Sequence, residues 1–121
     1  MDLSRFKDQL SIEQQWDVLT AKISRNMGVK KPDLNAVLFL IGIQELGQGM
    51  QYFSKEEKQD LMHIAICKVL SFSGYYELVG LDDNGWPHWE LKKKLPFIDL
   101  LSQEDFLKMH IIEYFEKEVQ W

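Results

Sequence analysis

Apolar residues recur at helical spacing near the start of the chain, which predicts a first helix ending at about Met27. A shift in phase indicates a break near Ser11, where Ser11 and Gln14 have the spacing of a capping box. Gly28 follows as a suitable C-terminal cap. The apolar stripe consists of Leu3, Phe6, Leu10, Ile12, Trp16, Leu19, Ile23 and Met27.

The most apolar stretch of the chain predicts a buried central helix. Pro32 cannot extend the preceding helix, and Asp33 can cap the next one, whose sequence is LNAVLFLIGIQELG. Apolar residues cover nearly all faces of this segment, as expected of a helix surrounded by others. A buried strand from Val37 to Ile41 is the alternative.

Two further helices are predicted later in the chain. Ser54 and Glu57 form a capping box that opens the third helix, and Gly74 ends it. Ser102 with Asp105 has the same spacing and predicts the start of the last helix.

Between these helices lies an aromatic segment with the sequence GYYELVGLDDNGWPHWELKKKL. Asn84-Gly85 fits the two central positions of a type I′ turn, which need positive φ, and residues that favour strands flank it. The segment therefore predicts a β-hairpin, and Pro87 indicates that its strand lies at the edge of the sheet.

A two-residue turn fixes the predicted register of the hairpin. It pairs Gly80 with Trp89 and Leu78 with Leu91, so that Trp89 covers Gly80 on the face toward the core. The other face would be partly apolar and aromatic, which is typical of protein-binding surfaces. Packing of Trp86 on a neighbouring loop is the alternative. The predicted interaction residues are Val79, Leu81, Trp86 and His88.

The predicted fold is mainly α, of the α+β class. It has about four helices around one apolar central helix, with one hairpin between the third and last helices. The chain has 121 residues, of which 45% are hydrophobic and 27% charged, values that suit one globular domain spanning residues 1–121.

Charge and cysteine content narrow the classes of function. A net charge of -5 and a pI near 5.1 disfavour binding to nucleic acid. The single cysteine, Cys67, suits a reducing compartment, and the opening residues lack the pattern of a signal peptide. The longest apolar run, from Ala36 to Ile43, is too short to span a membrane. We therefore expect a cytoplasmic protein with no membrane association.

Four residues are candidates for a polar or metal-binding cluster: Glu45, His63, Cys67 and His110. His63 and Cys67 are four residues apart on one predicted helix. Glu45 lies on a nearly all-apolar helix, where a carboxylate must be exposed, paired or protonated, and pairing with His63 is one solution. A zinc site needs three or four ligands, and the other ligands would have to come from distant segments. We therefore predict neither a metal site nor a cofactor, and no catalytic residue.

The order of helices and hairpin, with the tip sequence Asp-Asp-Asn-Gly, resembles a winged helix-turn-helix domain. The resemblance implies that the segment from Ser54 to Phe72 is the recognition helix and that the hairpin is the wing. The segment differs from that family because its first turn is acidic and its second half is apolar.

A second resemblance covers about half of the chain. The segments KKPDLNAVLFLIGIQELG and FSKEEKQDLMHIAICKVLSFSGYYELVGLDDNGWPHWEL are similar to a small bacterial family of conserved proteins without an assigned function. That resemblance implies a cytoplasmic location and supplies no catalytic residues.

The predicted function is a non-catalytic protein-interaction or regulatory module that binds a protein partner or a second copy of itself through the hairpin. A DNA-binding regulator is one alternative. A small enzyme or metal-binding helical protein that uses Glu45 and His63 is the other.

Overall fold

The computed structural model describes residues 11–96 and 99–119, without the side chains of residues 100–102. Within these ranges the chain forms four helices and one hairpin, which confirms the predicted α+β class and the position of the hairpin. The predicted stripe positions Leu3, Phe6 and Leu10 lie outside the described residues. The elements are α1 (Ile12–Met27), α2 (Leu34–Leu46), α3 (Lys55–Ser71), β1 (Tyr76–Leu81), β2 (Pro87–Leu91) and α4 (Leu100–Glu118).

The three predicted N-terminal caps before α1, α2 and α3 are confirmed. The Ser11 hydroxyl accepts from the backbone N–H of Gln14 at 3.1 Å, and the Gln14 side chain accepts from the backbone N–H of Ser11 at 2.9 Å. Ser54 and Glu57 form the same reciprocal pair before α3, and the Asp33 carboxylate caps α2. Each cap joins residues only three positions apart, so the sequence alone is enough to predict it.

The predicted start of the last helix is wrong. α4 begins at Leu100, so Ser102 lies inside its first turn. The carbonyl oxygen of Asp99 accepts from the backbone N–H of Gln103 at 3.1 Å, which places the first intrahelical bond three residues earlier than predicted. Aspartate is as suitable an N-cap as serine, and Asp99 precedes Ser102 along the chain.

α2 is helical throughout, so the alternative strand from Val37 to Ile41 is wrong. It contributes to two apolar clusters, one on each side of its contact with α3. The larger cluster joins all four helices and contains Trp16, Leu19, Ile23, Val37, Leu38, Ile41, Ala65, Val69, Leu70, Leu107, Ile111, Ile112 and Tyr114. The smaller cluster contains Leu46, Phe53 and Leu61, with Phe39, Ile43 and Trp86 packed against it.

The closest approach of α2 to α3 occurs at Gly42. A Cβ atom on Gly42 would collide with the carbonyl oxygen of Leu61 and would lie 2.7 Å from its carbonyl carbon and 2.9 Å from its Cβ. Both residues are buried, and the neighbouring atoms are mostly backbone, which cannot rotate away as a flexible side chain can. The absence of a side chain at Gly42 therefore sets the distance between the two helices.

The hairpin exists as predicted, but its turn is of a different type. The backbone N–H of Gly85 donates to the carbonyl oxygen of Asp82 at 3.0 Å, and that of Asp82 donates to the carbonyl oxygen of Trp86 at 2.9 Å. Gly85 has φ +83°, whereas no non-glycine residue in the described part of the chain has positive φ, so Asn84 does not. The loop therefore has three residues, Asp83 to Gly85, rather than the two of a type I′ turn.

The strand register also differs from the predicted one. Leu81 pairs with Pro87 and Gly80 with His88, and the register then shifts at a bulge between Leu78 and Gly80. Beyond the bulge, Trp89 lies opposite Leu78 instead of covering Gly80, where a Cβ atom would contact nothing. The longer loop and the bulge each shift the pairing by one position, and neither was anticipated from the sequence.

The hairpin packs on α3 and is tied to the end of α2. The ring of Tyr76 lies edge-on to His63 of α3, with ring centroids 6.3 Å apart. The side-chain amide of Gln48, just beyond α2, donates to the carbonyl oxygen of Asn84 at 2.8 Å. The base of the hairpin therefore contacts the middle of α3, and its tip is tied to the segment that follows α2.

Gly42→Ala tests the close approach of α2 to α3. Intrinsic helix propensity alone would favour alanine by about 1 kcal/mol. We expect a net destabilisation on the order of 2 kcal/mol, because the added methyl group collides with the backbone of Leu61 and overpacking typically costs about 1–3 kcal/mol. Urea unfolding measures the difference. Gln44→Ala, on the exposed side of the same helix, should change stability by less than about 0.5 kcal/mol.

Gly85→Ala and Asn84→Ala together distinguish the two turn types. Gly85→Ala should destabilise the protein by about 1–2 kcal/mol, because alanine is strained at φ +83°. Asn84→Ala should change stability by less than about 0.5 kcal/mol, since Asn84 does not have positive φ. Thermal and urea unfolding provide the comparison. Comparable losses from both substitutions would contradict the three-residue turn.

Candidate functional site

The four predicted interaction residues of the hairpin have different environments. Val79 and Leu81 are 69% and 68% exposed, and His88 is also exposed. Trp86 is partly buried, and its ring lies edge-on to Phe53 with centroids 6.4 Å apart. The alternative interpretation of Trp86, packing against a neighbouring segment, is therefore the observed one, while three of the four residues remain on the surface.

A cleft with a volume of about 460 Å³ lies between the hairpin tip and the first half of α3. We call it the hairpin cleft. Trp86 and His88, two of the predicted interaction residues, line it from the hairpin. Among the described residues, the lining consists of Glu57, Asp60, His63, Ile64, Asp82, Asn84, Trp86, Pro87, His88 and Trp89. Its size lies within the range of about 300–1,000 Å³ that is typical of small-molecule sites.

Asp82 organises the hairpin side of the cleft. One carboxylate oxygen, Oδ1, accepts from the backbone N–H groups of Asn84 at 2.9 Å and Trp86 at 3.0 Å. The other, Oδ2, lies 3.0 Å from Nε2 of His88. The hydrogen bond from His88 and those from the backbone lower the pKa of Asp82 below its ordinary value of 3.8, since each favours the ionised carboxylate.

The α3 side of the cleft has two carboxylates with different roles. Glu57 accepts from the backbone N–H of Ser54 at 2.9 Å, so one of its oxygens caps the helix. Asp60 is exposed and has neither an ion pair nor a hydrogen bond in the described part of the chain. No residue in the described lining is lysine or arginine. The cleft therefore combines unneutralised negative charge with aromatic rings.

Trp89, which lines the cleft, has an unpaired hydrogen-bond donor. Its indole Nε1 is buried and has no hydrogen-bond partner among the described residues. Buried polar groups are nearly always paired, and the unmet bond typically costs about 1–3 kcal/mol. Because this atom is buried, the unmet bond is a cost to the fold rather than a contact offered to a ligand.

Glu45, the candidate carboxylate on α2, belongs to a contact between three helices. Its Oε2 accepts from the hydroxyl of Tyr114 at 2.9 Å, and its Oε1 lies 3.8 Å from Nζ of Lys68. Burial, followed by the neighbouring Glu45 carboxylate, raises the pKa of Tyr114. The predicted partner of Glu45, His63, takes no part in this contact, so the partly buried carboxylate is stabilised by a phenol and an ammonium group instead.

His63 and Cys67 meet on α3, as their spacing predicts. The His63 Nε2 and Cys67 Sγ atoms are 3.5 Å apart. Burial raises the pKa of the Cys67 thiol to about 12, and the residue has no exposed surface. A thiol in this state does not provide a thiolate at neutral pH, which argues against a role as nucleophile.

His110 lies in the core between α3 and α4, away from the other three candidates. Its Nδ1 is 2.8 Å from the carbonyl oxygen of Phe106, and its Nε2 is 2.8 Å from the hydroxyl of Ser73. Since the carbonyl can only accept, the proton belongs on Nδ1, and the Ser73 hydroxyl then donates to Nε2. His110 is only 3% exposed, and both ring nitrogens are satisfied.

The four polar candidates therefore occupy three separate places. Within residues 11–96 and 99–119, no group of three or more His, Cys, Asp and Glu side chains is arranged to hold a metal ion. Among the helices of the same ranges, none combines the length and the apolar character needed to cross a membrane.

Two acidic residues of the cleft, Asp60 and Asp82, were not identified as functional candidates from the sequence. Asp60 is one of several acidic residues in α3, and only the position of the hairpin distinguishes it from its neighbours. Asp82 had a usable signal, because aspartate at the first position of a turn commonly accepts hydrogen bonds from the backbone that follows. The Asn84-Gly85 pair predicts a two-residue turn instead, and such a turn does not require Asp82 to accept hydrogen bonds from the backbone.

The contact between His88 and Asp82 predicts a measurable titration. The Asp82 carboxyl should titrate below 3.8, and His88→Ala should move its pKa back toward that value, because the largest cause of the lowering is removed. A lowered pKa contributes stability above the unfolded-state value, and this is lost as the pH falls through the folded-state value. Carboxyl ¹³C shifts measure the midpoint. His63→Ala, in the same cleft, is the control and should leave it unchanged.

In comparisons with known protein families, curated proteins and solved structures, none matches this chain.

Proposed function

We propose that this protein is a small, non-catalytic interaction module that binds a protein partner through its hairpin. The observation that carries the proposal is the hairpin cleft, in which Trp86 and Trp89 lie beside unneutralised carboxylates. Tryptophan is strongly enriched among the residues that contribute most to protein binding. Proposed contacts therefore centre on the cleft and on the exposed strand residues next to it.

Exposed apolar side chains of the hairpin extend this surface. Leu78 and Leu91 are about half exposed, and Val79 and Leu81 are more so. Apolar and aromatic residues in the centre of a surface with charged residues around it are typical of protein interfaces. A second copy of the chain or a different protein could cover them.

The DNA-binding alternative has less support. In a winged-helix arrangement, the hairpin tip and the start of α3 would face the duplex. Asp82 and Asp83 lie at that tip, and Glu56 and Glu57 lie in the first turn of α3. These carboxylates would repel phosphate groups, which supply most of the affinity of DNA-binding proteins.

The enzyme alternative lacks a site that joins its proposed residues. Glu45 and His63, on which it depends, contact different groups, and Cys67 is buried as a protonated thiol. The proposed setting is the bacterial cytoplasm. It is supported by the single cysteine and by the resemblance to a bacterial family described above.

Photo-cross-linking tests the proposed surface. With p-benzoylphenylalanine in place of Leu81, we expect a discrete cross-linked product in cells, either a second copy of the chain or one identified protein that also binds in purified form. Leu81→Ser should then weaken the measured binding about ten-fold, because burying a leucine side chain contributes about 1.5–3 kcal/mol.

Val18 provides the matched control, because it is 59% exposed on α1 and does not line the cleft. The cross-linker at position 18 should not yield the product obtained from position 81, and Val18→Ser should leave the affinity unchanged. The same products from both positions, or none from position 81, would contradict the proposal.

A further inference from the structure

We propose that the hairpin cleft binds a basic side chain, arginine or lysine, that a partner protein presents in a peptide segment. This inference rests on the proposed function and specifies the chemistry of the partner. It follows from three properties of the cleft: its charge, its aromatic rings and its size.

The charge of the cleft selects a cation. Glu57, Asp60 and Asp82 contribute carboxylates, and no described residue of the lining is lysine or arginine. Asp82 is engaged by His88 and by two backbone N–H groups, and Glu57 caps α3. Asp60 has no partner in the described part of the chain, so its carboxylate is the one available to pair with an incoming cation.

The aromatic rings select a cation carried on an apolar stem. Trp86 and Trp89 both line the cleft. Indole faces attract ammonium and guanidinium groups, and they also pack against the methylene groups of lysine and arginine side chains. A small hydrated metal ion would gain nothing from these rings, and an acidic peptide would be repelled by the carboxylates.

The size of the cleft suits a basic residue that is presented within a peptide segment. The cleft volume of about 460 Å³ is enough for one long side chain with adjoining backbone.

Peptide titration followed by ¹H–¹⁵N NMR tests the inference. The probes are acetyl-Gly-Xaa-Gly-amide, with Xaa as arginine, lysine, citrulline or glutamate. We expect saturable shifts of the Trp86 and Trp89 indole signals with the arginine or lysine peptide at low ionic strength, and weaker binding as salt is added. Citrulline has nearly the shape of arginine without its charge, so its peptide should bind more weakly, and the glutamate peptide should not bind.

Asp60→Asn removes one charge from the cleft and should weaken the basic peptide about three- to five-fold, the range of a partly exposed ion pair. Glu56→Gln removes one charge from the exposed surface of α3 one turn earlier, outside the lining, and should leave the affinity unchanged. Equal effects of the two charge variants would show that only the overall charge of the protein matters, which would overturn the inference.

Two other results would overturn it: citrulline and arginine peptides that bind equally, or no saturable shift up to about 10 mM peptide. The test separates this inference from the proposed function. If cross-linking at position 81 identifies a partner whose binding is unaffected by Asp60→Asn, the interaction module stands and the basic-residue site falls. If no partner is found and no peptide binds, both fail.

Discussion

The contact between Gly42 and Leu61 is the constraint on which the rest of the structure depends. It brings the backbones of α2 and α3 together more closely than any side chain at Gly42 would allow. Leu61 also belongs to the smaller apolar cluster, against which Trp86 of the hairpin packs. The position of the cleft therefore follows from helix packing: α2 positions Leu61, the cluster positions Trp86, and Trp86 holds the hairpin tip beside α3.

Much of the fold could be predicted from the sequence, because its signals are local. The capping box of Ser54 and Glu57 joins residues three positions apart, and the apolar character of α2 depends on that segment alone. The hairpin register could not be predicted in the same way. It depends on the Asp82 side chain, which binds two backbone groups of the turn, and on a bulge at Val79, for which the neighbouring Gly80 is the only local signal.

The candidate site was only partly predictable, since it depends on contacts between distant segments. Trp86 and His88 were identified from the hairpin, but the partner of Glu45 lies 69 positions away at Tyr114. Helix α3 explains why the polar candidates separate. Its second half carries Lys68, which pairs with carboxylates of other helices, whereas Asp60 in its first half faces the cleft without a cation. Along α3, the charge of Lys68 is therefore neutralised, whereas that of Asp60 beside the cleft is not.

The edges of the hairpin favour a partner that binds through side chains over one that adds a strand. A two-stranded sheet leaves one edge of each strand unpaired, and such edges can extend to another chain. Here the bulge beside Val79 interrupts β1, and Pro87, which has no N–H, begins β2. Each edge therefore offers only a short run of regular hydrogen-bonding groups. The bulge and Pro87 affect only backbone hydrogen bonding and leave the exposed side chains and the cleft available. Recognition by shape and charge is therefore the binding mode that this hairpin can support.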